Sequence, residues 1–257
     1  MIFETHAHYD DEAYNDDREE VISSLFSGVI GNIVNVAASM EGCKNSILLS
    51  NKYTNMYASV GVHPSECECM TDADIEILRN YCNEEKVVAI GEIGLDYYYE
   101  DPGREIQKKW FIEQLILAKE VEKPVIIHSR DAANDTYNIL KEYGNNLKNV
   151  VIHCFSYEKE MATRFLEMGY YLGIGGVITF KNGRKLREVV ENAPLDRLVL
   201  ETDSPYLAPE PFRGKRNGSE NLVYVAETIA QIKNVSVEEV IRITEENAKR
   251  LYGLFGK

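Results

Sequence analysis

Long hydrophobic runs are missing from this chain. The longest apolar stretches, such as VVAIG and PVIIH, fall far short of the roughly 20 residues that a membrane helix needs, so no membrane role is expected. Cysteines are few and do not pair up in the sequence. The five, Cys43, Cys67, Cys69, Cys82 and Cys154, make an odd number without a CxxC motif. That pattern argues against a disulfide framework and reads as reduced thiols of a cytosolic protein. Positive charge is in short supply: 28 Lys and Arg against 42 Asp and Glu give a net charge of −14. Non-specific nucleic-acid binding over the whole surface is disfavoured, but a local basic rim is not. There is no low-complexity segment, and 44% hydrophobic with 27% charged residues excludes wholesale disorder. The acidic start, MIFETHAHYDDEAYNDD, has no apolar signal core, so the expected location is the cytoplasm.

What the chain does contain is a recurring short apolar run. MIFETH, VIGNIVNVA, MYASVGV, VVAIGEIGLD, PVIIHSR, NVVIHCFS, YYLGIGGVI and LVLETDSP follow one another, with helix-compatible polar stretches between them. Continuous apolar runs of this kind suit parallel strands buried on both faces. Their centres, Glu4, Ile33, Ala58, Ala89, Ile126, Val151, Gly173 and Leu200, lie about thirty residues apart, the length of a strand, a helix and two loops. Between Glu105 and Glu122, Ile106, Trp110, Phe111, Gln114, Leu115, Ala118 and Val121 fall near a helical period. Asp72 to Glu84, Glu158 to Met168 and Glu220 to Leu254 are also helical in character. No Pro- or Gly-rich linker interrupts the series. The reading is one domain over residues 1–257, an α/β fold of the single (β/α)8 TIM-type barrel class, with a doubly wound open sheet as its rival.

All five histidines, His6, His8, His63, His128 and His153, fall at or just after the end of an expected strand. In a barrel those ends share the face on which active sites are built. In extended chain, His6 and His8 point the same way and can share one metal ion. Glu92, at the end of an apolar strand, needs a partner: a neighbouring arginine or a metal. His128 and His153 each follow three apolar residues and read as core histidines or as ligands. Ser129 and Arg130 follow His128, where they could meet an anion. Asp203 is placed to touch a metal and its water, or to cap the next segment. Glu201 reads as support for such a site, and Asp96 as a turn or helix cap.

Taken in order, ETHAHYD, GVHP, GEIGLDYY, PVIIHSRDA, VIHCFSY, YLGIGGVITF, LVLETDSPYLAP and RGKRN resemble the TatD-type metal-dependent deoxyribonucleases, a branch of the amidohydrolase superfamily. The resemblance runs from Thr5 to Asn217. It implies a (β/α)8 barrel with one or two divalent metal ions. It implies His6 and His8 on the first ion, Glu92 bridging, His128 and His153 on the second, and Asp203 as ligand and catalytic base. It makes His63, Arg130 and Arg213 phosphate or substrate contacts. Three positions depart from the family pattern: Glu4 stands where Asp is usual, Tyr157 where Gly is usual, and RGKRNGSEN lacks the usual Glu-Pro pair.

The implied activity is hydrolysis of DNA phosphodiester bonds, in single strands or at ends. Lys181, Arg184, Lys185, Arg213, Lys215 and Arg216 are expected near the mouth, and Tyr97, Tyr98, Phe155, Phe180, Tyr206 and Phe212 include candidates for stacking on bases. Imidazole-rich donors suit zinc, manganese, iron or nickel better than magnesium, which the family's nuclease assays commonly use. The alternative substrate is a small amide, lactone or phosphoester on the same metal site, since fold does not decide function. Many amide and lactone enzymes of the superfamily use a modified lysine where this chain has Glu92. A metal-binding scaffold without turnover is a third reading; a missing ligand or base would favour it, and none is missing.

Overall fold

A computed structural model describes residues 1–255. The strands are β1 (Ile2–Ala7), β2 (Ile30–Asn35), β3 (Met56–Val60), β4 (Val87–Asp96), β5 (Val125–Arg130), β6 (Val150–Ile152), β7 (Tyr171–Ile174) and β8 (Leu198–Leu200). After them in turn come α1 (Arg18–Ser27), α2 (Met40–Lys52), α3 (Asp72–Tyr81), α4 (Arg104–Glu120), α5 (Ala133–Tyr143), α6 (Lys159–Glu167), α7 (Arg184–Asn192) and α8 (Leu222–Lys233), with α9 (Val237–Tyr252) last. The strands keep chain order, β1 to β8, in one sheet. Sequential order with a helix after every strand is the (β/α)8 class; a doubly wound sheet would reverse its order at a switch point. All eight residues chosen as strand centres lie inside strands. Among the described residues, no helix is long and apolar enough to cross a membrane.

The elements group into two compact units. The first holds Met1–Asn35 and the chain from Cys154 onward, and the second holds Val36–His153. In the first, β1 pairs with β2 in parallel, Glu4 opposite Ile33, and β7 pairs with β8, Gly173 opposite Val199. Ala7 and Ser204 form a parallel bridge, and Thr5 Oγ1 donates to the Leu200 carbonyl at 2.8 Å, so the segment leaving β8 runs beside β1. Every residue of β1 is buried. Helix α9 closes over this strand: the Tyr252 hydroxyl donates to Thr5 O at 2.9 Å, and the rings of Phe3 and Tyr252 stack 6.1 Å apart.

The stretch from Glu220 to Leu254, read from sequence as one helical piece, is two helices. Asn234 at the end of α8 is left-handed, with φ 54°, a conformation that asparagine tolerates. Ser236 then caps α9, accepting from Glu239 N at 3.1 Å. In the second unit β3, β4, β5 and β6 pair in parallel, with Ser59 opposite Ala89, Gly94 opposite His128 and Ile127 opposite Ile152. All ten residues of β4 are buried, as an apolar run covered on both faces requires. Thr71 and Asp74 start α3 with a reciprocal capping box.

Candidate metal centres

In the first unit, β1 ends by delivering His6, and His8 follows just beyond it. Their Nε2 atoms stand 3.2 Å apart. Asp203 Oδ1 lies 3.2 Å from His8 Nε2 and 3.8 Å from His6 Nε2. Two donors bound to one tetrahedral ion at about 2.1 Å stand roughly 3.4 Å apart, so these separations fit a shared cation. Asp203 reaches this place through a left-handed backbone, φ 59°, that aspartate accepts more readily than most residues. Its N–H donates to His6 O at 2.9 Å, and the His8 N–H donates to Ser204 O at 2.8 Å.

Two buried carboxylates lie behind this triad. Glu4 is fully buried, which pushes its carboxyl up to about 7 against the hydrogen bonds it accepts. Those bonds come from His6 N at 3.0 Å, Thr202 N at 3.0 Å and Thr202 Oγ1 at 2.7 Å. Glu201 Oε1 accepts from Cys154 N at 2.5 Å. The Glu201 carboxylate occupies the space that a side chain at position 173 would enter.

In the second unit Glu92 is the centre. Its Oε1 lies 2.6 Å from His128 Nδ1, 3.6 Å from His153 Nε2 and 4.0 Å from His63 Nε2. Glu92 is interior to β4 rather than at its end, because the strand continues to Asp96. His128 is held from both sides: its Nε2 lies 3.0 Å from Asp96 Oδ2. Burial pulls the His128 pKa down, but the Glu92 charge and the bonds to Asp96 and Glu92 outweigh it, and the net shift is upward. For Asp96, burial acts upward, but the bonds from His128 and the Tyr98 N–H leave the carboxyl below its ordinary range. Gly94 sits opposite His128 with φ 147°, and a Cβ there would run into the His128 carbonyl. His63 accepts at Nδ1 from the Ser65 backbone N–H at 3.1 Å, so in the neutral ring its proton sits on Nε2.

Of the residues singled out in the sequence, His6 and His8 stand beside Asp203, and Glu92 stands beside both His128 and His153. His63, expected among substrate contacts, also faces Glu92. Asp96 was read as a turn residue. It is one, since Oδ1 accepts from Tyr98 N at 2.9 Å, but its other oxygen orients His128. Glu92 and Asp96 stand an even number of residues apart on one strand, which was the available signal. Two glutamines of α4 were also beyond prediction. The Gln114 amide bonds both N–H and C=O of Val62, next to His63, at 2.8 and 3.1 Å. Gln107 does the same for Asp96, at 2.8 and 2.9 Å.

The outer residues separate into two groups. The Arg130 guanidinium sits 3.8 Å from the Tyr98 ring, and that of Arg213 sits 4.4 Å from Phe180; both arginines are exposed. Tyr98 and Tyr206 are exposed, but Phe155 and Phe180 are buried and belong to the core. Lys185 pairs with Glu158 at 2.6 Å, and Arg216 takes Asp17 with two nitrogens at 2.6 and 2.8 Å.

The sequence from residue 3 to 253 matches the family described as TatD related DNase. The chain belongs to the TatD family. It is similar to YabD, an uncharacterized metal-dependent hydrolase of Bacillus subtilis, at 44% identity over 98% of this chain and 99% of that one. Among solved structures, the TatD homologue YjjV of Escherichia coli K12 shares 32% identity and a TM-score of 0.92 over 98% of both chains. A TatD-family hydrolase of Entamoeba histolytica, 26% identical, superposes with a TM-score of 0.88 over 98% of this chain and 97% of that one. With imidazole and carboxylate donors gathered in each unit, this TatD-family chain is a metal-dependent hydrolase.

Proposed function

We propose that this hydrolase is a deoxyribonuclease acting on phosphodiester bonds of single-stranded DNA or DNA ends. The family description supports that substrate class. One observation carries the chemistry: His6, His8 and Asp203 in one unit bring their donor atoms within 4.8 Å of one another, and in the other Glu92 Oε1 lies 2.6 Å from His128 Nδ1 and 3.6 Å from His153 Nε2. His6, His8 and Asp203 would hold one divalent cation, and Glu92, His128 and His153 would hold another. When bound, such ions offset phosphate charge and lower the pKa of water. Asp203 accepts the water's proton; its side chain is 19% exposed, so that proton can pass on to solvent. His128 lies 2.6 Å from Glu92, close enough for the carboxylate to orient its ring. The Nε2–H of His63 and the guanidinium groups of Arg130 and Arg213 donate to phosphate oxygens.

A small phosphoester, amide or lactone is the second reading. The pairing of Lys185 with Glu158 and of Arg216 with Asp17, on a chain of net charge −14, favours a short anionic substrate over a long duplex. Turnover of single- and double-stranded DNA by chelated and reloaded protein, across a zinc, manganese, magnesium and nickel panel, separates the readings. Metal-restored cleavage of single strands is expected. Asp203→Ala and His128→Ala should each lose at least 100-fold in rate with the fold intact. Full activity of Asp203→Ala would remove its role as base.

A further inference from the structure

One buried carboxylate binds the backbone at two places that each adjoin a proposed ligand. Glu4 Oε1 accepts from the N–H of His6 itself and from the N–H of Thr202, the residue before Asp203, both at 3.0 Å. Its Oε2 accepts from Thr202 Oγ1 at 2.7 Å. Thr202 Oγ1 in turn accepts from Ser204 N at 3.1 Å and from Ser204 Oγ at 2.6 Å. Asp203 is therefore flanked on both sides by residues tied, directly or through one hydroxyl, to Glu4. The tie spans from residue 4 to residue 204, so it fixes the end of β1 against the segment leaving β8. His6 and His8 come from the first of these and Asp203 from the second. Their spacing decides whether one cation can touch all three.

We propose that Glu4 is a positioning residue that sets the distance between the His6–His8 imidazoles and the Asp203 carboxylate, and with it the affinity of that triad for a divalent ion. The inference rests on the reading that the triad holds a cation. A backbone amide is held in direction as well as distance by a buried acceptor oxygen, and a buried bond of this kind does not compete with water. Glutamate also reaches one carbon further than aspartate, which suits it to two amides on different segments.

The test is Zn2+ titration of chelated full-length protein by calorimetry, beside circular dichroism and thermal unfolding without metal. Glu4→Gln keeps the shape and one acceptor but replaces an acceptor oxygen with an NH2 group that cannot receive the Thr202 hydroxyl. Thr202→Val removes that hydroxyl while leaving the backbone N–H. Both should weaken one of two Zn2+ binding steps by about 10- to 100-fold and leave the other step within twofold, with folding preserved. Thr202→Ser restores the hydroxyl and should restore wild-type affinity. A purely structural role would lower the unfolding temperature and leave both binding steps unchanged, which would overturn the inference while the proposed function stood. Should Glu4→Gln fail to fold, Thr202→Val and Thr202→Ser decide by the same criterion. A wild-type protein that bound no Zn2+ would sink both this inference and the reading beneath it.

Discussion

Carboxylates and thiols of this chain take different chemical characters from their surroundings. Glu4 is buried among hydrogen-bond donors and Asp96 is held by His128, whereas Asp203 keeps part of its side chain open to solvent. Only the last is open to exchange a proton with the medium, as its proposed role as base requires. The thiols divide in the same way. Burial pushes Cys67 and Cys82 up to about 11, whereas Cys69 is exposed. The thiolate is the reactive form, so alkylation at pH 8 should modify Cys69 first and leave Cys67 and Cys82 protected in the folded protein. Peptide mass spectrometry reads this directly, and equal rates at Cys69 and Cys82 would contradict it. The linkage has a definite sign. The folded state retains these protons above the ordinary thiol value of 9.0, so their stabilising contribution is complete below pH 9 and is lost as pH rises towards 11.

Among the elements, α4 does more than cover β4. Gln107 and Gln114 lie two helical turns apart on its buried face. Each amide pairs with both backbone groups of a residue beside the candidate centre, much as a neighbouring strand would. Gln107→Ala or Gln114→Ala leaves a buried N–H and C=O without those partners, so each should cost about 1–3 kcal/mol. Urea unfolding should show a lower midpoint at unchanged slope. A midpoint within error of wild type for both variants would show that water satisfies these groups. The helical period already put Gln114 on the buried face. It could not show that the amide, rather than a neighbouring helix, would meet the backbone of Val62.

For the molecule as a whole, stability should be coupled to metal. Free Zn2+ at a hundred times the dissociation constant of a site adds about 2.7 kcal/mol, or roughly 5–10 °C in unfolding temperature for a chain of this size. Calorimetric scans of chelated and reloaded protein should show that rise, and a His6→Ala, His8→Ala double variant should lose the share due to its own cluster. An unfolding temperature indifferent to zinc in the wild type would count against a resident cation. Much of this was legible beforehand. The (β/α)8 class and all eight strand centres follow from apolar periodicity, and the histidines and carboxylates that interrupt it at strand ends were singled out as candidate ligands there, whereas their sharing between two ions came from the family resemblance. Asp96 as a support for His128, the burial of Phe155 and Phe180, and the pairing of Arg216 with Asp17 were not legible. Each depends on a contact between residues that no local pattern relates.

Sequence by itself determined which segments become strands and which residue types stand at their ends, because burial on two faces selects apolar runs and tolerates a histidine or carboxylate only where something satisfies it. Tertiary structure alone decided how those groups are tuned. Whether a carboxylate is a ligand, a brace or a proton carrier depends on donors and solvent within a few ångströms, and those neighbours can arrive from 198 residues away, as Glu4 and Thr202 do.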